Sequence, residues 1–134
     1  MRLTFLEAFE FGIPEVDLGH RRIFGMFNEI GDSMVGGDFD SALRQVIHLI
    51  AVERAHVKYE TSLLERYNSS LLGKHDEYHQ SLFNSLNEMM DALGDQDKEA
   101  ARKCYAGLYE NIIDDILVAD LPFKSLFQEK LLNR

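Results

Sequence analysis

Residues 56–79 contain two pairs of metal-competent side chains, and the members of each pair are four residues apart. His56 precedes Glu60, and His75 precedes His79. Residues four apart in an α-helix lie about 40° from each other around the axis, so each pair predicts a helix with two ligands on one face. Imidazole is the commonest metal ligand in proteins, and a nearby carboxylate adds favourable negative charge. The pattern indicates a helical bundle that holds metal between its helices.

Composition favours one acidic, globular domain. The 134 residues are enough for a single core, and 46% of them are apolar. A formal charge of -9 argues against nucleic acid or an anionic membrane as a partner, since both require a basic surface. Cys104 is the single cysteine, so an internal disulfide and a thiolate metal site are excluded. With no signal peptide and no apolar run of membrane-spanning length, we expect a soluble, cytoplasmic protein without membrane insertion.

Four amphipathic segments predict an all-α fold. Asp17 is the predicted N-cap of the first helix, and Gly36-Gly37 ends that helix. The predicted helices, each with apolar residues at intervals of three and four, cover residues 17–35, 41–66, 72–93 and 98–119. Short turns between them favour an antiparallel up-down-up-down four-helix bundle.

The predicted organisation is a single domain with a bundle and two extensions. The whole domain spans 1–134, with an N-terminal arm at 1–16, the four-helix bundle at 17–120 and a C-terminal tail at 121–134. We expect the arm to pack aromatic side chains onto the bundle. The apolar residues of the tail are enough for a short docking helix.

Polar residues interrupt the apolar stripes of the predicted helices. His75 and His79 stand in the third stripe where a core would take leucine, and His20 lies three residues before Ile23 in the first. Asp115 lies in the apolar row of the fourth helix, where a carboxylate requires a cation, a hydrogen-bond donor or a proton. Every predicted helix therefore directs at least one metal-competent group into the core.

Two polar residues near this set have simpler expected roles. Glu53 lies one turn before His56, and we expect an ordinary solvated acid rather than an additional ligand. His48 lies roughly 12 Å from His56 by helical rise, too far to share an ion, and is expected to be structural or exposed.

Together these spacings resemble those of hemerythrin and the bacterial hemerythrin-like proteins. The matching motifs span nearly the whole chain and are Asp17-Leu18-Gly19-His20, His56-x-x-x-Glu60, His75-x-x-x-His79, and Asp120 with Phe123. The resemblance implies a non-haem di-iron site inside a four-helix bundle. It also implies reversible binding of O2 as the usual activity.

The resemblance divides the ligands between two iron ions, with manganese as an alternative metal. The implied set is His20 and His56 for one iron, His75 and His79 for the other, and Glu60 and Asp120 as bridges between them. The first iron would keep an open position for the gas. Ile112 and Ile116 match the apolar lining of the gas pocket, a dry wall that admits O2 and slows irreversible oxidation.

The fourth helix departs from the hemerythrin pattern. Asp115 stands where the family supplies a fifth histidine, Asn111 stands where it has a tryptophan, and Val57 and Thr61 also differ. If Asp115 binds the second metal, its negative charge favours the ferric state; if it does not bind, that metal has an open position. Asp115 and Asp120 are five residues apart, so in a regular helix they do not lie on the same face. Both reach the metals only if the helix end is distorted or one of them acts through another residue.

Three functions are compatible with the sequence. The leading one is a di-iron protein that binds O2 or another small diatomic reversibly for carriage, storage or sensing, and is not a catalyst. The first alternative is a di-metal oxidase or peroxidase with a carboxylate-richer site, which the replacement by Asp115 favours. The second alternative is a bundle with a degraded metal site that works as a regulatory or interaction module. A sensing role would pair the domain with a signalling partner domain outside this chain.

Overall fold

The structure is a computed structural model that describes residues 1–66, 70, 72–120 and 124–125, apart from the side chains of Ala119 and Asp120. Its four α-helices are α1 (Pro14–Val35), α2 (Phe39–Arg66), α3 (Leu72–Gly94) and α4 (Lys98–Asp114). A short 3-10 helix, Glu7–Phe9, precedes them, and a π-helical segment, Asp115–Asp120, follows α4. The described residues contain no strand, so the predicted all-α, four-helix fold is confirmed.

Consecutive helices pack against each other along the chain. Helix α1 contacts α2, α2 contacts α3, and α3 contacts α4. Among the described helices, none combines the length and the apolarity needed to cross a membrane.

Helix α1 begins three residues before the predicted N-cap, and Asp17 is not that cap. Pro14 starts the helix, where its fixed φ suits the first turn and its missing N–H has no cost. Asp17 lies within this first turn and accepts hydrogen bonds from the backbone N–H groups of Phe11 at 2.7 Å and Gly12 at 3.1 Å. The carboxylate therefore binds the segment before α1 to the helix, a role that requires the same residue type as capping.

The N-terminal segment is attached to α1 by a reciprocal pair of hydrogen bonds. The backbone N–H of Leu3 donates to Asn28 Oδ1, and Asn28 Nδ2 donates to the carbonyl of Leu3, both at 2.8 Å. Phe5 and Phe9 also pack edge to face on Phe24, with ring centroids 5.5 and 6.0 Å away. Aromatic side chains before α1 thus contact that helix.

The turn between α1 and α2 and the turn between α3 and α4 contain typical glycine and capping residues. Gly37, just after α1, has a φ of 79°, a left-handed conformation that glycine adopts without strain. Asp38 then accepts a hydrogen bond from the backbone N–H of Ser41 at 3.0 Å in the first turn of α2. Asp97 caps α4 in the same way by accepting from the N–H of Ala100 at 3.1 Å.

Helix α4 ends at Asp114, earlier than the predicted limit of 119. In the π-helical segment that follows, backbone hydrogen bonds join residues five apart rather than four. The backbone of Asp120 therefore lies about one helical turn beyond that of Asp115. In an α-helix, by contrast, residues five apart are rotated by about 140° around the axis and face different sides. This is the distorted helix end that the sequence requires if both residues are to approach the same face.

Two expectations fall on residues that the structure does not describe. The side chain of Asp120 lies outside the description. Apart from Lys124 and Ser125, so does the tail for which a docking helix is predicted.

Buried apolar side chains form two separate clusters. The larger cluster contains residues from all four helices. The smaller one, here called the apolar plug, consists of Phe11, Ile13, Val16 and Leu64. Along each of α1, α2 and α3, buried polar residues lie between the part near the plug and the part in the larger cluster; in α1, His20 lies between Val16 and Ile23. The fold thus creates a buried polar layer between two apolar regions.

Helices α1 and α4 meet where a tyrosine packs on a glycine. The ring of Tyr105 stacks on Phe27 with centroids 4.2 Å apart, and its hydroxyl donates to the carbonyl of Phe27 at 2.8 Å. Gly31 leaves the space for this ring, because a Cβ at that position would overlap the Tyr105 hydroxyl. By contrast, a Cβ on Gly25 of the same helix would meet nothing within 4 Å.

We predict that Gly31→Ala lowers the free energy of unfolding by about 1–3 kcal/mol, the usual cost of overpacking. The measurement is urea denaturation of chelator-treated protein followed by circular dichroism. Gly25→Ala is the matched control and should keep or slightly raise that free energy, since alanine favours a helix more than glycine does. Equal effects of the two substitutions would contradict the close packing at Gly31.

Candidate metal centre

Five of the predicted site residues meet in the buried polar layer. They come from three helices and are His20 of α1, His56 and Glu60 of α2, and His75 and His79 of α3. None of the five is more than 7% exposed. Buried imidazoles and carboxylates need polar or charged partners, because burial without them costs free energy. Contacts among these side chains supply such partners.

Glu60 lies at the centre of the layer and is fully buried. The distances from its carboxylate oxygens to histidine Nε2 atoms are 2.7 Å for His56, 3.6 Å for His79, 3.8 Å for His75 and 3.8 Å for His20. The two α3 rings are also adjacent, with 2.7 Å between their Nε2 atoms. One carboxylate is therefore close to four imidazoles from three helices.

The spacing of these atoms suits metal ligands. Metal bonds to nitrogen and oxygen are about 2.0–2.2 Å long, so two ligands of one ion lie roughly 3 Å apart. Three groups of described side chains have potential ligand atoms within 4.8 Å of one another, and two of these groups share Glu60. These two are His20 with His56 and Glu60, and Glu60 with His75 and His79. Within the described chain, neither Glu60 oxygen has a hydrogen-bond partner of acceptable geometry. Each of these two groups could hold a metal ion, and Glu60 belongs to both.

The third group lies beside the second one and contains Glu53 and His79. The Oε1 atom of Glu53 is 3.1 Å from Nδ1 of His79, and the Glu53 side chain is only 1% exposed. The expectation that Glu53 is a solvated helix acid is therefore wrong. The sequence signal for its burial was its place on the same ridge of α2 as His56 and Glu60. Its hydrogen-bond partner on α3, which compensates for the burial, is visible only in the folded chain.

Asp115 is buried, as its place in an apolar row predicts. Its Oδ1 lies 3.7 Å from Nδ1 of His79, the ring nitrogen that also contacts Glu53. Nε2 of the same ring instead approaches Glu60 and His75. The structure thus brings Asp115 next to a predicted ligand, on the side of the ring that faces Glu53.

The other predicted residues of the fourth helix lie around the layer. Ile112 and Ile116 are buried in the larger cluster, and their role as a gas-pocket lining stays a prediction. Asn111, which stands where hemerythrins have tryptophan, donates from Nδ2 to the hydroxyl of Ser85 on α3. His48 is exposed, in agreement with its expected absence from the site.

Burial and nearby charges move the pKa values of the layer in opposite directions. Burial lowers the pKa of His20 to about 3, so this ring is neutral at pH 7. Burial would also lower the pKa of His79, but the hydrogen bond to Glu53 and the charges of Asp115 and Glu60 raise it to about 9. Burial raises the pKa of Asp115 to about 8. Without metal, the His79 ring is therefore protonated on both nitrogens, and so positively charged, at pH 7.

Comparison with known proteins identifies no relative of this chain. No protein-family model, curated protein or solved structure matches it. The resemblance to hemerythrin therefore stays a prediction that the motifs carry, and a proposal about function must rest on the geometry of the buried layer.

Gly19 allows His56 to pack directly against helix α1. A Cβ at Gly19 would overlap the imidazole of His56, whereas the rings of His56 and His20 lie with their centroids 4.5 Å apart. The His20 ring also contacts the ring of Phe11, in the apolar plug, in an edge-to-face arrangement with centroids 5.3 Å apart. A glycine before His20 is therefore required for the first histidine pair to form.

We predict that Gly19→Ala displaces His56 and weakens Zn²⁺ binding by the first group by about 10-fold or more, comparable to losing a residue that orients a ligand. Competition with a chromogenic chelator measures both the affinity and the number of ions bound. Gly25→Ala adds the same methyl group to the same helix in open space and serves as the control. If Gly19→Ala binds zinc like the wild type, the close approach of the His56 ring to Gly19 is not needed for metal binding.

The pKa values predict opposite pH responses with and without metal. The pKa of His79 in the folded protein, about 9, exceeds its ordinary value of 6.5, so the folded state binds more protons and loses stability as the pH rises through that range. The raised pKa of Asp115 acts in the same direction up to about pH 8. A metal must displace the His79 proton, so metal binding strengthens as the pH rises.

Thermal melting at pH 6.5, 7.5 and 9 tests this response. With chelator the melting temperature should fall across the series, whereas the increase caused by Zn²⁺ should grow. His79→Gln should flatten the fall in the metal-free protein. A metal-free melting temperature that rises from pH 6.5 to 9 would contradict the charge assignment of His79.

Proposed function

We propose that this protein is a hemerythrin-like di-iron protein that binds O2, or another small diatomic, reversibly. The observation that carries the proposal is the position of one fully buried carboxylate, Glu60, among two pairs of buried histidines. A carboxylate shared by two ligand groups is suited to bridge two ions. The buried layer favours this role over that of an ordinary core, because each of its residues replaces an apolar side chain.

The antiparallel up-down-up-down topology belongs to this proposal. Ser33, near the end of α1, donates to Gln45 in the early part of α2 at 2.9 Å. His20, near the start of α1, instead meets His56 in the later part of α2. These two contacts support an antiparallel arrangement of α1 and α2, in which His20 and His56 lie far from the turn that joins the two helices.

Each chain residue of the layer has a defined task in the proposal. His20 and His56 would hold one ion, His75 and His79 would hold the other, and Glu60 would bridge them, with Asp120 as the predicted second bridge. Bound iron would supply the redox chemistry for reversible binding of the gas. The neutral ring of His20 can donate its lone pair without first losing a proton.

The apolar regions on both sides of the layer exclude water. The plug packs Phe11 against His20, and the larger cluster lies beyond the layer on the other side. A dry site strengthens the electrostatic contacts inside it and limits the entry of protons that promote irreversible oxidation. This surrounding supports a carrier or sensor, which must release the gas unchanged.

A di-metal oxidase or peroxidase is the second candidate, and Glu53 and Asp115 are the observation in its favour. Both carboxyl groups are buried beside His79, so the site has two more acids that could lose a proton to a bound metal than the two histidine pairs and Glu60 alone provide. Added carboxylates favour the higher oxidation state and hence one-way oxygen chemistry. A bundle without metal is less well supported, because the buried histidines would then only cost stability.

The test is the iron content and the ultraviolet-visible spectrum of protein from iron-supplied cells. We predict two irons per chain and a spectrum that changes in air and returns when O2 is removed. His48→Gln, at an exposed position, should keep both irons, and His75→Gln should lose one.

The alternatives predict different results in the same experiment. Two irons with continuous O2 consumption and a one-way spectral change would favour the oxidase. One iron or none in the wild-type protein would refute the di-iron proposal.

A further inference from the structure

Among the described residues outside the predicted ligand set, Glu53 is the most deeply buried acid, with 1% of its surface exposed. It projects from α2 to α3, where its Oε1 contacts Nδ1 of His79 at a hydrogen-bond distance of 3.1 Å. Asp115 approaches the same nitrogen from the π-helical segment, but at 3.7 Å it is beyond good hydrogen-bond distance. Glu53 is therefore the acceptor for this nitrogen.

The two nitrogens of His79 face different groups. Nδ1 faces Glu53, and Nε2 faces His75 at 2.7 Å and Glu60 at 3.6 Å. A neutral imidazole carries one proton, and the nitrogen without it is the one that can bind a metal. If Nδ1 donates its proton to Glu53, the lone pair is left on Nε2, the nitrogen beside the other ligands of the second group.

We propose that Glu53 is a positioning residue for the second metal, an inference that rests on the proposed function. By accepting the hydrogen bond from Nδ1 of His79, it presents Nε2 of that ring to the ion that His75 and Glu60 also hold. A carboxylate that hydrogen-bonds a ligating histidine fixes the orientation of the ring and makes its nitrogen a stronger ligand. Glu53 thus acts on the metal through His79.

Direct coordination by Glu53 fits the geometry less well. Its oxygen lies on the Nδ1 edge of the ring, while the other members of the second ligand group lie on the Nε2 edge. An ion bound to Nε2 would have the imidazole between itself and Glu53. The positioning role also explains the burial of Glu53, because the hydrogen bond to His79 provides the partner that a buried carboxylate requires.

The experiment isolates the second group with a His20→Gln background and measures Zn²⁺ affinity by competition with a chromogenic chelator. We expect Glu53→Ala to weaken binding by about 10- to 100-fold, the usual effect of losing such a partner. Glu53→Gln keeps an oxygen that accepts the hydrogen bond and should lose clearly less. Glu65→Ala removes an exposed acid from the same helix and should leave the affinity unchanged.

Nitrogen-15 NMR of histidine-labelled, zinc-loaded protein gives a readout that a general loss of packing would not imitate. The Nδ1–H signal of His79 should be present in the parent protein and in Glu53→Gln. In Glu53→Ala it should shift or exchange with solvent. If the alanine variant does not fold, Glu53→Gln decides alone, and loss of its Nδ1–H signal would overturn the positioning role.

The outcomes separate this inference from the proposed function. Unchanged zinc affinity in Glu53→Ala, with the parent protein still binding zinc, would overturn only the role of Glu53. Equal losses in Glu53→Gln and Glu53→Ala would also overturn it, because charge rather than hydrogen-bond acceptance would then matter. If neither wild-type protein nor the His20→Gln parent binds zinc, the metal site itself is refuted.

Discussion

The burial of the Glu60 carboxylate is the constraint on which the rest of the structure depends. A charge with no exposure to water is stable only beside compensating groups, and here the compensation comes from histidines on α1, α2 and α3. Three helices must therefore direct polar side chains to one depth of the bundle, which interrupts the apolar stripe of each. The larger cluster and the apolar plug close the layer from both sides. Metal ions would complete the compensation, because they neutralise the carboxylate and bind the histidine lone pairs at once.

Small details of the helices make this layer geometrically attainable. Gly19 lets α1 and the His56 ring approach closely, and the carboxylate of Asp17 holds the segment that carries Phe11 against the start of the same helix. Beside the same layer, α4 changes to a π-helical segment at Asp115, whose side chain enters the layer. A π-helical turn costs regular hydrogen bonding and often marks a functional site. The π-helical segment and the close contact at Gly19 thus both adjoin the polar layer.

Much of this arrangement could be predicted from sequence periodicity. The limits of α2 and α3, to within two residues, and the inward direction of His20, His75 and His79 follow from regular spacing. The start of α1 could not, because Asp17 accepts hydrogen bonds from the backbone of Phe11 and Gly12 rather than from that of its own helix end. The role of Glu53 was also hidden, since its partner on α3 is distant in sequence. Local patterns reveal which face a residue occupies, but only packing reveals its partner.

The separation between the two metal ions tests the central claim most directly. X-ray absorption spectroscopy at the iron edge of protein loaded with two irons per chain measures it without a crystal. If Glu60 bridges the ions, the spectrum should contain iron scattering at about 3.5–4 Å, the separation usual for two-metal sites. Two irons without a metal neighbour at that distance would contradict a bridging Glu60 and would require separate binding sites.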